Sequence, residues 1–163
     1  MDKRKNRNVI ALAINPIYAH AIFSGDKTVE FRRNGTPTII THIVVYSTNP
    51  DQMVLGYCEV CNCVEAPPEI LWRDFGKYGF IYKDDFFSYY QGYSIGKCYL
   101  LKNPRLFIRP LPLAQCQSFS KAPQSFVYVT NNEWKNIKRK KTADESTQAT
   151  GRDSWRGGTP LRF

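Results

Sequence analysis

Long apolar runs are missing from this chain: across 163 residues nothing approaches the roughly 18 to 20 uncharged apolar residues that a membrane-crossing helix needs. The opening Met1-Asp2-Lys3-Arg4-Lys5 leads into a mixed segment without the apolar core of a secretory signal. An intracellular location is therefore expected, and a membrane partner is not. Histidine is scarce: His20 and His42 lie in different elements, where core or surface placement is expected ahead of catalysis. The glycine-rich signatures G-x-x-x-x-G-K-[ST] and G-x-G-x-x-G and the elbow G-x-S-x-G are absent, which leaves nucleotide hydrolysis and dinucleotide redox chemistry without support, so no cofactor is expected. Cysteine is present without a metal pattern. Cys58 and Cys61 form a C-x-x-C, but on a strand period 2 puts Cys58 on one face and Cys61 with Cys63 on the other, and no second pair follows to close a tetrahedral site. No metal is expected, and the thiols read as reduced and partly buried.

What is present is a globular composition, 42% hydrophobic, 14% aromatic and 23% charged, with a net charge of +9 that is unevenly placed. Residues 1–7 carry four basic side chains against Asp2, and residues 135–163 carry eight against three acidic ones. Residues 8–134 are almost neutral, with 11 basic and 10 acidic residues. A basic arm at 1–7, a compact core at 8–134 and a basic, mostly disordered tail at 135–163 are expected. Lys3, Arg4 and Lys5 at one end, and Lys138, Arg139, Lys140 and Lys141 at the other, are candidate contacts to a nucleic-acid backbone. A merely solubilising tail is the competing explanation.

The core alternates short strands with turn residues. Asn8 to Ile14 reads as a strand; Asn15 and Pro16 then start a helix that Gly25 can close with a left-handed cap. Strands are predicted at 28–32, 39–47, 53–64, 93–101 and 125–130, with helical period between Pro68 and Gly92. Residues 104–113, with three prolines, read as an irregular or edge strand. The expectation is an α+β domain, a small mixed β-barrel of about six strands with an N-terminal helix and a helical insertion at its mouth.

The densest polar cluster is Gly25-Asp26-Lys27-Thr28-Val29-Glu30-Phe31-Arg32-Arg33, running from a helix cap into a strand. Thr28, Glu30 and Arg32 share a strand face, with Lys27 at its mouth. If that face is buried, Glu30 must pair with Lys27 or Arg32, because a lone buried carboxylate is prohibitively costly. The competing explanation is an ion-pair network on a solvated strand.

The stretch L-A-I-N-P-I-Y-A-H-A-I-F-S-G-D-K-T-V-E-F-R-R resembles the opening of ASCH domains, a branch of the PUA-like superfamily with the pattern G-x-K-x-x-E-x-R. Gly25, Lys27, Glu30 and Arg32 match it. The resemblance continues through I-V-V-Y-S-T-N-P at 43–50, V-L-G-Y-C-E-V at 54–60 and P-Q-S-F at 123–126, covering roughly residues 8–130. It implies a PUA-like barrel with a cleft beside the first helix, lined by the motif, and binding of RNA or modified nucleobases. Lys27, Thr28, Glu30, Arg32, Arg33, Tyr46, Ser47, Thr48 and Phe126 are the expected ligand contacts: cations for a phosphate or base carbonyl, the carboxylate for an exocyclic amine, the rings for stacking.

The same resemblance carries an enzymatic alternative, since some relatives are amidohydrolases of acylated cytidines and others ribonucleases. The amidohydrolase type places a Thr nucleophile three residues after its Lys, where this chain has Glu30, so that mechanism is not inherited. Lys27 and Glu30 remain candidates for acid/base catalysis on a modified nucleoside or on RNA, with Glu69, Asp84 or Asp85 as a second carboxylate. A nucleic-acid-binding, regulatory role is the preferred expectation.

Overall fold

A computed structural model of the protein describes residues 4–119 and 121–143. The strands are β1 (Lys5–Ile14), β2 (Val29–Arg32), β3 (His42–Ser47), β4 (Met53–Ala66), β5 (Gly96–Pro112) and β6 (Phe126–Thr130). The helices are α1 (Pro16–Ser24), α2 (Pro68–Phe75), α3 (Lys83–Tyr89) and α4 (Asn131–Lys138), with single 3-10 turns at Gly76–Tyr78 and Leu113–Gln115. The strands form one sheet in the order β2-β5-β4-β3-β1-β6. Only β1 and β3 run parallel, Val9 facing His42 and Ile14 facing Ser47. The sheet curls without closing, and where its edge strands β2 and β6 approach, a side chain replaces the ladder: Arg32 donates to the carbonyls of Ala13 and Ser125.

α1 starts where the sequence says it should. The Asn15 side chain accepts from the Ile17 N–H at 3.1 Å, Pro16 occupies the first turn, and Gly25 at φ 88° closes the helix, a conformation favouring glycine. Its Ala19 and Ile22 pack with Ile10, Leu12, Ile43, Val45 and Tyr99 inside the curl of the sheet. Fully burying an Ile or Leu is worth about 1.5–3 kcal/mol, so this interior holds α1 firmly to the sheet. The outer face of β1, β3 and β4 carries Val9, Ala11, Val44, Tyr46 and Val54 under Trp134 and Ile137 of α4. A third cluster joins Val29 and Phe31 of β2 to Leu71, Phe86 and Tyr90 of the helical insertion.

Three expectations are corrected. Basic residues 4–7 are not a free arm: β1 begins at Lys5, the Arg4 carbonyl accepts from Asn131 and the Arg7 carbonyl from Thr38. Nor do residues 135–143 belong to a disordered tail. Trp134 and Ile137 give α4 a buried face, and beyond it the Ile108 N–H bonds the Lys141 carbonyl while Thr142 bridges to Phe107. The remainder of the expected tail, 144–163, lies outside the described residues. The segments 93–101 and 104–113 are one strand rather than two. β2 pairs β5 only over Lys97–Leu100, so the later prolines fall where β5 has a strand neighbour on one side only, and register shifts against β4 absorb the irregularity.

Candidate nucleotide-binding cleft

The site is built where α1 hands over to β2. The Lys27 N–H bonds the Ala21 carbonyl at 3.0 Å, turning the chain out of the helix, and the Thr28 N–H bonds the Tyr78 carbonyl at 3.0 Å. β2 then pairs with β5, Glu30 opposite Tyr99 and Arg32 opposite Lys97. Lys27 and Glu30 are buried, at 4% and 6% exposure. Lys27 Nζ lies 3.1 Å from Glu30 Oε2, and Arg32 Nη1 lies 3.4 Å from Glu30 Oε1. The ammonium also donates to the Gly79 carbonyl at 2.8 Å and sits over the rings of Tyr18 and Phe31, at 5.2 and 5.9 Å from their centroids. Gly79 has to be glycine, because a Cβ there would collide with the Phe31 ring. Two cations against one carboxylate leave a net positive charge at this spot, where water is largely excluded and charge acts more strongly than in solvent.

The array opens on a cavity of about 200 Å³ lined by Asn15, Tyr18, Lys27, Glu30, Arg32 and Tyr89, among others. A planar ring fits such a space, since a cavity of about 150 Å³ accepts benzene. Burial, with Asp85 and Glu30 adding negative charge, pushes the Tyr18 hydroxyl above its ordinary value, so it remains a neutral donor at physiological pH. Arg32 also donates to Ala13 and Ser125 carbonyls at 3.4 and 3.2 Å, so strands β1, β2 and the approach to β6 all meet at this wall.

The structure brings Lys27, Glu30 and Arg32 together and scatters the other expected contacts. Thr28 is exposed, because β2 begins one residue later and Thr28 bonds to the insertion. Arg33 is exposed beside the cavity, its guanidinium 4.8 Å from the Tyr89 ring. Tyr46 is buried in the cluster under α4, so it packs the sheet's outer face and is not available for stacking. Ser47 is wholly buried and donates to Asp51 at 2.6 Å. Hydrogen bonds from Ser47 and His20 hold the Asp51 carboxyl below its ordinary value. Thr48 spends its N–H on the Ile14 carbonyl, and half-buried Phe126 packs against Tyr128. The insertion carboxylates Glu69, Asp84 and Asp85 are all exposed, and of them Asp85 acts on Tyr18. Cys58 faces inward and Cys61 and Cys63 outward.

Lys3 lies outside the described residues. Lys138 sits over Trp134 and Lys140 over Phe107, so the ordered cations after Trp134 accompany α4 and the sheet face it covers rather than α1. Sequence reasoning missed Asn15, Tyr18, Tyr89 and the Gly79 carbonyl. Tyr18 carried a readable signal, since it lies on the helix preceding the motif; Tyr89 and Gly79 arrive only through the folding back of the insertion.

A family model for the ASCH domain matches residues 12–108, more than half of the chain. The chain belongs to the ASCH domain family. It is 29% identical over 136 residues to the ASCH domain-containing ribonuclease of Zymomonas mobilis, covering 81% of this chain and 91% of that one. The crystal structure of ASCH from Zymomonas mobilis superposes with a TM-score of 0.74 at 27% identity, covering 83% of this chain and 98% of that one. The N-terminal domain of Staphylothermus marinus McrB shares the fold at 11% identity, with a TM-score of 0.52 over 85% of this chain and 98% of that one. The α+β architecture is thus that of an ASCH domain. Among the described residues no helix is long and apolar enough to cross a membrane.

Proposed function

We propose that this ASCH domain acts on RNA by taking one nucleotide of a single strand into the cleft. The observation that carries the reading is the buried Lys27–Glu30–Arg32 array facing an aromatic cavity of ring size. Lys27 and Arg32 suit a phosphate or base carbonyl, Glu30 accepts from a base amine, and Tyr18 and Tyr89 supply walls for a base. A modified nucleobase or free nucleoside is met by the same chemistry. Lys138, Arg139, Lys140 and Lys141 add salt-dependent backbone affinity from the α4 side.

A second reading, cleavage of the RNA, is favoured by the relative of matching length that is named a ribonuclease. On this reading Glu30 takes the proton of a 2′-hydroxyl as it attacks phosphorus, and Lys27 protonates the departing 5′-oxygen. Both readings are tested by incubating the protein with labelled single-stranded RNA, the matching DNA and a panel of modified nucleosides, scoring retention and mass change together. Retention of intact RNA, lost in Arg32→Lys and reduced in Tyr18→Phe while thermal melting shows both folded, supports binding. A cyclic-phosphate product that disappears in Glu30→Gln supports cleavage. Indifference of every ligand to all three variants sinks both.

A further inference from the structure

Beside the cavity stands an arginine that is held in place yet unneutralised. The Arg33 guanidinium lies 4.8 Å from the Tyr89 ring and 5.2 Å from the Tyr93 ring. Its backbone N–H donates to the Tyr89 hydroxyl at 3.1 Å. Among the described residues, no hydrogen bond or ion pair engages the guanidinium itself, in contrast to Arg32 and Arg73. An arginine ordered by aromatic faces, with its N–H groups unspent, is arranged to receive a phosphate. Tyr89 belongs to both places: it lines the cavity and packs on Arg33, so the two are one continuous surface. Tyr93, at 38% exposure, still offers ring surface to solvent at the outer end.

Resting on the cleft reading above, we propose that Arg33, Tyr89 and Tyr93 form a second nucleotide subsite, which makes the ligand a strand rather than a free nucleoside. The phosphate joining the two nucleotides meets the Arg33 guanidinium, and the base outside the cavity stacks on Tyr93. Specificity at this position is for any base, since stacking is sequence-tolerant. The step is non-covalent and needs no other group.

The test compares binding of a 5′-mononucleotide with that of an uncleavable 2′-O-methyl tetranucleotide, measured calorimetrically for the wild type, Arg33→Gln and Tyr93→Ala. Both side chains are on the surface, and the bond from the Arg33 backbone to Tyr89 survives either substitution; thermal melting checks the fold. Loss of a stacked base weakens binding roughly 5- to 150-fold, so Tyr93→Ala should lower tetranucleotide affinity within that range and leave the mononucleotide within about twofold. Arg33→Gln should likewise lower tetranucleotide affinity and flatten its salt dependence by about one phosphate's worth, a slope change of roughly 0.7. The subsite is overturned if the wild type binds mononucleotide and tetranucleotide equally, or if the variants bind the tetranucleotide as the wild type does. Failure of the wild type to bind either ligand instead overturns the cleft reading, and the subsite with it.

Discussion

Glu30 and Glu133 are buried to nearly the same depth, at 6% and 4% exposure, and their surroundings differ completely. Glu133, near the start of α4, accepts the backbone N–H groups of Gln117 at 2.7 Å and Ser118 at 2.6 Å. Its own N–H goes to the Thr130 hydroxyl that caps the helix. All its partners are neutral, and they tie the segment after β5 to α4. Among the described residues no backbone N–H donates to the Glu30 carboxylate; it faces two cations that together exceed its charge. A carboxylate satisfied by peptide groups has no charge left to trade, whereas one held by side-chain cations can exchange them for a ligand's groups. Burial therefore does not set the candidate site apart: the identity of the donors does.

The sharpest way to break this contrast is to remove each carboxylate. Glu30→Ala leaves Lys27 and Arg32 facing one another without a counter-charge, and stability should fall by about 3–5 kcal/mol, read from urea denaturation. Glu133→Gln retains one acceptor and sets an amide NH2, which cannot accept, against the other backbone N–H, so a smaller loss of about 2 kcal/mol is expected. RNA retention by the molecules that remain folded should be unaffected by Glu133→Gln; a folded variant that no longer retains RNA would show that the α4 region belongs to the site. Thr130→Ala, removing the cap and the long contact from the Ser118 hydroxyl, should cost about 1 kcal/mol and move the melting temperature in the same direction as Glu133→Gln.

The smallest expected effect is a pH dependence on the α4 side. Burial lowers the His42 imidazole below its ordinary value of 6.5, Glu59 opposing and Lys138 assisting. Because the unfolded chain takes up this proton at a higher pH than the folded one, the stabilisation is complete above about 6.5 and is lost as pH falls below it. Melting temperatures at about pH 7.5 and about pH 5.5 should differ more for the wild type than for His42→Gln. Equal differences would mean that the proton goes elsewhere.

The electrostatic half of the site was readable because it is local. Lys27, Glu30 and Arg32 fall within six residues, and the cost of an isolated carboxylate requires a pairing that the structure makes twice. The strand order and the aromatic walls were less accessible. Tyr89 comes from an insertion whose helical pattern was evident but whose direction was not, and Tyr46 shared the strand-like texture of a stacking residue while pointing into the cluster under α4. Composition misled most at 135–143: lysines and arginines dominate there, but Ile137, with Glu133 and Trp134 just before the segment, gives the helix a buried face. The prolines of β5 argued for a break that a one-sided strand does not need.

Arg32 reaches the Ser125 carbonyl across 93 positions of sequence. In synthesis this bond has to wait, since the motif emerges from the ribosome long before the residue that completes its wall. A nascent chain arrested between the two carries Lys27, Glu30 and Arg32 with the seam unlatched, and only a chain extended past Ser125 can close that wall.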